Sequence, residues 1–455
     1  MKHTKLFSKL IATAEALIML AACLAGCNAL PQDNEGEYFT KNGQMVKNAF
    51  ENNAVQINDF LYYKERYTYR EEKSSGISMK RQAERIVRLS LKTGNVSSAC
   101  VDPVCTHMYG SDCPLNVDYL YDNNARIRNL KAIGDWLFYI ISSRYTVYDP
   151  TTQNEELIGT VEKYMIYNTV TGETRELFPR NSVGESGIAP AVCGGTVYGH
   201  MFFAALPEYV KDENGNESLV KVLRSYDVEK DKTTVIYSDS RSFGVPAVTN
   251  KRIYIVFSDE SGNSWCSVDW NGKDMRREEG FYTPIVTYGP RAYLYDGEDN
   301  YRYISVYNIE THSAKELDID TFTGGFCISG DVLYYSITSN VDEYASLDVN
   351  KLYEKYSDLD QAERTNAVIR DMNAVLYGGS SQIYSTDLDG GSRKLLFEYE
   401  HMVIQCVAAA GNYLYAYITS AQPPEYTVES TENEGFSRID LTTGEITPVP
   451  LLGAE

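Results

Sequence analysis

Three thiols and one imidazole fall within fourteen residues: Cys100, Cys105, His107 and Cys113, in the string CVDPVCTHMYGSDCP. Three thiolates and an imidazole are the donor set of a closed tetrahedral zinc site. His107 is one of only four histidines after residue 27. The cysteine spacing is wider than the paired C-x₂-C of zinc ribbons, and an exported chain can instead join two of the three cysteines. A structural zinc and a single disulfide are therefore both open at this point. A catalytic metal is not expected, because the motif places no acidic general base beside the donors. The other candidates are weaker. Asp212–Glu217 has calcium-like oxygens but lacks the distal bidentate Glu of a calcium loop, and reads as a hairpin tip. Gly184-Glu185-Ser186-Gly187 is one residue too short for a nucleophile elbow. No phosphate-binding or dinucleotide fingerprint occurs.

The elements that position these residues repeat. A turn dipeptide is followed at three positions by an apolar residue and at four by an aromatic one. The dipeptides are Asn58-Asp59, Gly134-Asp135, Gly194-Gly195, Asn250-Lys251, Gly289-Pro290, Gly330-Asp331 and Gly411-Asn412. The aromatics are Tyr62, Phe138, Tyr198, Tyr254, Tyr293, Tyr334 and Tyr415. Such dipeptides between apolar runs mark tight hairpins, because Gly and Asn tolerate positive φ. A second hairpin follows each first one, with turns near residues 90–94, 168–172, 227–231, 269–272, 308–312, 387–390 and 440–444. Each unit is thus four antiparallel strands, with about 57 residues per unit over residues 54–455. The expected fold is all-β: a seven-bladed propeller of four-stranded antiparallel blades over residues 51–455. Cys193, Cys327 and Cys406 read as packing residues at the crowded innermost strands.

Two stretches carry a family resemblance. Ile383-Tyr384-Ser385-Thr386-Asp387-Leu388-Asp389-Gly390 and Ser267-Val268-Asp269-Trp270-Asn271-Gly272 pair an apolar strand with an Asp-x-Asp/Asn-Gly turn. They resemble TolB-like and YWTD-like propellers, as in low-density-lipoprotein receptors, and their bacterial lipoprotein relatives. The Tyr-Trp-Thr-Asp tetrapeptide is absent, so the receptor family's ligand rules do not transfer. Cys-rich crossovers similar to residues 100–113 occur in such lipoproteins, which implies that this motif is a real one.

The N-terminus gives an address. Lys2, Lys5 and Lys9 precede an apolar run over 11–25, interrupted by Thr13 and Glu15, and then Leu24-Ala25-Gly26-Cys27. This resembles a bacterial lipoprotein signal, in which cleavage before the cysteine leaves a diacylglyceryl thioether. The run is too short to span a bilayer. The expectation is a signal peptide over 1–26, lipidation at Cys27, a polar tether over 27–50, and an exported chain held at the cell envelope. Loss of the signal removes three lysines and one glutamate, moving the formal charge from −21 to −23. Such acidity argues against nucleic acid and against direct adsorption to an anionic membrane surface.

In a propeller the first–second and third–fourth turns share one face. Here those are short, and the length lies in the connections of the other face: 70–85, 102–129, 145–163, 207–218, 340–381 and 422–435. The segment 348–377 is helical in pattern, with Asp348 and Asp358 as caps and Gly378-Gly379 as the stop, a small insertion in blade six. Thirty-seven tyrosines against three tryptophans suit a binding surface more than a quinone-cofactor propeller. The expected function is a lipid-anchored binding or scaffold propeller, its glycan, peptide or protein ligand on the long-loop face. Tyr109, Tyr119, Tyr121, Tyr145, Tyr148, Tyr209 and Tyr426 are its candidate contacts. The alternative is a glycoside hydrolase or lyase, which would need acid pairs about 5–10 Å apart in the central funnel.

Overall fold

The computed structural model describes Met45–Val46 and most of residues 54–452. Outside the described residues lie 1–44, 47–53, 73–77, 106, 108–112, 119–124, 150–153, 179–194, 212–216, 260–261, 279–283, 289–290, 297–302, 310, 312, 321–324, 431–435 and 453–455. Cys27, Tyr109, Tyr119, Tyr121 and Cys193 therefore fall outside them.

Among the described residues, seven antiparallel sheets follow one another along the chain, each with four main strands from one segment, and blades one, six and seven carry a short fifth strand. The innermost strands are Ala54–Ile57, Arg126–Ile133, Thr196–Tyr198, Phe243–Val248, Pro284–Tyr288, Phe326–Ser329 and Met402–Ala410. The chain is a seven-bladed propeller. Among the described residues, no helix is long and apolar enough to cross a membrane.

The apolar-aromatic repeat is the physical basis of the ring. Successive side chains of a strand point to opposite faces. Leu137 accordingly packs towards blade one, in a cluster with Tyr62 and Ile86, while the next residue, Phe138, packs towards blade three against Phe202. The same alternation gives Ile253 and Tyr254, Leu333 and Tyr334, and Leu414 and Tyr415 opposite neighbours. Blade three departs from the expected frame. Its hairpin turn is Gly199-His200, Tyr198 ends the first strand, and the aromatic in the repeat position is Phe203. Phe202 packs towards blade two and Phe203 towards blade four, as the pattern requires.

Blade seven closes the ring directly onto blade one. Leu61, Tyr63 and Val87 share a cluster with Tyr415, Phe436 and Val449, and the Tyr63 and Phe436 ring centroids are 4.7 Å apart. The C-terminal segment then clasps blade one. The fully buried Glu65 carboxylate accepts from Arg85 Nε at 2.6 Å and from the Leu452 N–H at 3.0 Å. Burial pushes the Glu65 carboxyl up, and Arg85 and that N–H draw it part of the way back.

Two glycines separate conformational cost from steric cost. Gly411, in the blade-seven turn, has φ +60° and nothing within 4 Å of an added Cβ. Gly272 has φ +72°, and its Cβ would lie 1.8 Å from the Ile236 carbonyl oxygen of the neighbouring blade. Gly411→Ala should cost about 1–2 kcal/mol, the left-handed penalty alone. Gly272→Ala should cost clearly more, because the obstacle is backbone. Denaturant midpoints of the two variants check this ordering, and equal losses would refute it.

Three of the expected long loops are strands. Phe60–Glu72 pairs with Ser78–Ser90, Trp136–Asp149 with Asn154–Asn168, and Met201–Lys211 with Glu217–Asp227. These hairpins make the described residues of segments 70–85, 145–163 and 207–218 regular. Blade six carries three helices between its second and third strands: α1 (Val341–Ala345), α2 (Val349–Lys355) and α3 (Gln361–Tyr377). The insertion thus starts before the expected 348. Asp348 caps α2 as expected, but Asp360, not Asp358, caps α3, accepting from the Glu363 N–H at 2.9 Å. Val368 and Tyr377 of α3 are buried, with Tyr377 packed against Val403 and Ala421 of blade seven. Ile369 of the same helix is 48% exposed.

Candidate metal centre

The Cys-His cluster sits in an interrupted edge strand. The third strand of blade one pairs on its outer side first with Val96–Ser98 and then, further along, with Asn116–Asp118. Both pieces run the same way, and Ile86 bridges them: it donates its N–H to Leu115 O and accepts from Ala99 N. Residues 99–115 are therefore an excursion out of what is otherwise one strand. Cys100 and Cys113 stand at the two sides of its neck.

One donor atom from each of Cys100, Cys105, His107 and Cys113 lies within 4.8 Å of all the others. Cys100 and Cys113 are buried, and Cys105 and His107 are half-buried. The three cysteines are free thiols. The structure thus brings together all four residues that the spacing singled out. The His107 N–H points to Cys105 Sγ at 3.4 Å, and the Cys105 N–H donates to Asp102 O. His107 holds φ at +55°, a conformation few residues with side chains adopt. Its Nδ1 is buried with no hydrogen-bond partner among the described residues. Burial pushes the Cys100 and Cys113 thiols up, and the Cys105 sulfur adds to this at both.

Blade two fastens the excursion. Tyr139 donates its hydroxyl proton to Pro114 O at 2.9 Å, and the Val101 N–H donates to Tyr167 Oη at 2.8 Å. Asn116 Nδ2 donates to His107 O at 3.1 Å, and Ser98 Oγ accepts from the Cys100 N–H. Cys100, Cys113, Leu115 and Val117 pack in one cluster with Ile127, Leu130, Tyr139 and Tyr167. These supports escaped the sequence reading, because only the fold brings Tyr139 and Tyr167 of blade two against this segment.

The binding-face candidates are dispersed. Tyr145 and Tyr148 lie on the second strand of blade two, and Tyr209 on that of blade three, in the far halves of the projecting hairpins. Tyr426 lies in the blade-seven connection. It is half-buried, has φ +46°, and accepts a hydrogen bond at its carbonyl from Asn373 of α3 at 3.1 Å. The helical insertion and the blade-seven connection therefore form one docked unit, tightened by Tyr377 Oη against Thr419 Oγ1 at 2.8 Å.

The inner wall has a different chemistry. Among the described residues, none of the seven innermost strands carries Asp or Glu. Arg126, Arg128 and Lys131 of blade two are their only charged residues. Loss of solvent draws the Lys131 ammonium down to about 8. The channel also receives the N-terminal segment. Met45–Val46 pairs antiparallel with Cys327 and Phe326 on the inner side of the innermost strand of blade six. That strand runs towards its tight turn at Gly330-Asp331, so Met45–Val46 runs the opposite way, towards the hairpin face.

No family model matches the chain, and no curated protein does. Among solved structures it is similar to the acylaminoacyl peptidase of Pyrococcus horikoshii. That match has 11% identity and TM-score 0.43, and covers 91% of this chain and 53% of the peptidase. The chain thus spans about half the length of that enzyme. The β-propeller domain of the Trilobed protease from Pyrococcus furiosus matches at 11% identity and TM-score 0.35, over 72% of this chain and 86% of that one. TolB from Acinetobacter baumannii matches at 12% identity and TM-score 0.26, over 68% of each. At these scores the fold assignment rests on the strand order above.

Proposed function

We propose that this protein is a lipid-anchored presenting propeller, which binds a glycan, peptide or protein through its hairpin face. The observation that carries this reading is the inequality of the two faces. On one face the connections between strands are short in all seven blades. The other bears the long hairpins of blades one to three and the docked helices of blade six. Ligand contacts in such scaffolds lie on the extended connections, held by a rigid frame.

The path of the N-terminus supports an orientation. Met45–Val46 runs along the innermost strand of blade six towards the hairpin face, so Met45 is its end nearer the tight turns. A lipid on Cys27 would then set the tight turns towards the membrane and turn the hairpins outward. The residues between Cys27 and Met45 reach up to ~60 Å when extended, ample for this path. A glycoside hydrolase or lyase needs two carboxylates facing the scissile bond. The acid-free inner strands lend that alternative no support.

The test uses full-length chain in its native envelope and in detergent. Cys27→Ser should abolish lipid labelling and release the protein from membranes. Maleimide coupled to a cysteine introduced at Ser218, beside the blade-three hairpin tip, should label intact cells. The same probe at Thr442, in a tight turn, should label poorly. Glycan and peptide arrays probed with detergent-purified chain should yield a ligand whose capture is lost when the blade-two hairpin is shortened. Membrane retention of the Cys27→Ser variant, or equal labelling of both faces, would overturn the anchored orientation. Turnover of an array glycan would overturn the binding role.

A further inference from the structure

The geometry points to a single zinc ion held by Cys100, Cys105, His107 and Cys113, closing the neck of the 99–115 excursion. Four first-row metal bonds of about 2.0–2.3 Å place tetrahedral donors about 3.5–3.8 Å apart. The four donor atoms already lie within 4.8 Å of one another, so a contraction of at most about 1.0–1.3 Å completes the cage. Three soft sulfurs with one imidazole select zinc over calcium or magnesium, which take oxygen. Four protein donors leave no open position, so the site is structural.

A disulfide explains less of the arrangement. It needs two sulfurs at about 2.05 Å and gives no reason for a third thiol and an imidazole at the same point. It also leaves His107 Nδ1 as it stands, buried and unpartnered among the described residues. A metal accounts for the convergence of all four groups. It also accounts for the N–H directed at Cys105 Sγ, which favours a thiolate there.

The placement says what the ion does. The excursion leaves the edge strand after Ala99 and rejoins it at Leu115, and Ile86 is the only residue of the partner strand between the two pieces. A segment of that length is costly to order at the junction of two blades. Ligands from both sides of the neck, and two from the loop between, fix that segment against Tyr139 and Tyr167. On binding, each cysteine surrenders its thiol proton to solvent and His107 binds through a neutral ring nitrogen, so uptake of zinc releases protons.

Full-length protein purified in detergent, under reducing conditions with zinc supplied, should carry about one zinc per chain by elemental analysis. Cobalt(II) in its place should give the visible bands of a tetrahedral sulfur-rich site. His107→Ala and Cys113→Ser should each weaken metal affinity by more than the roughly 10–100-fold that loss of an outer-shell partner costs. Cys266→Ser, far from the cluster, should leave the zinc content unchanged. Chelation should open residues 100–113 to proteolysis, while the β-sheet circular dichroism persists. That second readout separates loss of the ion from failure to fold. Protein that takes up no zinc would overturn the proposal. So would a different resident metal, or a Cys–Cys bond found by mass spectrometry in chain loaded with zinc before any oxidant.

Discussion

Glu84→Ala is expected to cost about 3–5 kcal/mol, the cost of breaking a buried ion pair from one side. Glu84 lies on the third strand of blade one and is fully buried. Its Oε1 lies 3.3 Å from Arg66 Nη2 and 3.7 Å from Lys64 Nζ. Its Oε2 accepts the Ile127 N–H of blade two at 2.9 Å. One carboxylate thus serves two cations and a backbone donor of the neighbouring blade, and alanine supplies none of this. Glu84→Gln should lose less, because an amide oxygen can still accept from Ile127. The contrast is Glu208→Ala on blade three. There the bidentate Arg224 pair is partly solvated, with side chains 26% and 32% exposed, and should contribute only about 0–1 kcal/mol. Denaturant unfolding and amide exchange at Ile127 measure both. A Glu84→Ala loss as small as that of Glu208→Ala would show that water screens the blade-one pair.

That buried carboxylate also marks where sequence reading stops. Within the blade stack each strand has an apolar neighbour on both sides, and the Leu-Tyr doublets announce it. The extended ends of blades one to three leave that stack. Tyr67 to Glu72 and Lys80 to Arg85 are accordingly dense in charge, the two-residue apolar alternation fades, and the segment reads as loop although it is paired throughout. Glu84 is hidden in the same charged run, since only the fold brings Ile127 against it. The frame slip in blade three has a different cause. Gly194-Gly195 and Gly199-His200 both tolerate turns, and a three-residue first strand separates the second pair from the first. The Cys-His cluster was legible because its residue types are rare in this chain. Its position in the neck of a broken strand was not, since the two pieces have three residues each.

Function divides in the same way. The repeat sets a frame whose stability is a sum of blade-to-blade contacts, and such a frame tolerates insertions wherever they leave the stack. The blade-six helices illustrate this. They interrupt a blade between its second and third strands, yet Thr338 and Ser381 on either side still pair, with hydroxyls 3.1 Å apart. The insertion is therefore free to vary in its exposed face while Tyr377 and Asn373 hold it to blade seven. A surface built in that manner is suited to recognition, and its specificity is carried by side chains that the frame does not constrain.

Phe203→Ala provides the sharpest test of the corrected frame, with an expected loss of about 3–5 kcal/mol. Phe203 is wholly buried between blades three and four, its ring edge-on to Trp270 at 5.3 Å with planes 82° apart. Phe243, Ile253 and Ile255 share its cluster. Truncation removes a large aromatic from a layer that cannot collapse, because the backbones on both sides are locked in sheets. Phe203→Leu retains most of the volume and should cost much less. The damage should also be local. Blades contact only their neighbours, so amide protection should fall first in Thr196–Tyr198 and Phe243–Val248, while Lys394–Glu400 of blade six keeps its protection. If protection instead fell evenly around the ring, the seven blades would behave as one cooperative unit. If Phe203→Ala cost less than about 1 kcal/mol, Phe203 would not hold the repeat position shared by Tyr62, Phe138 and Tyr415.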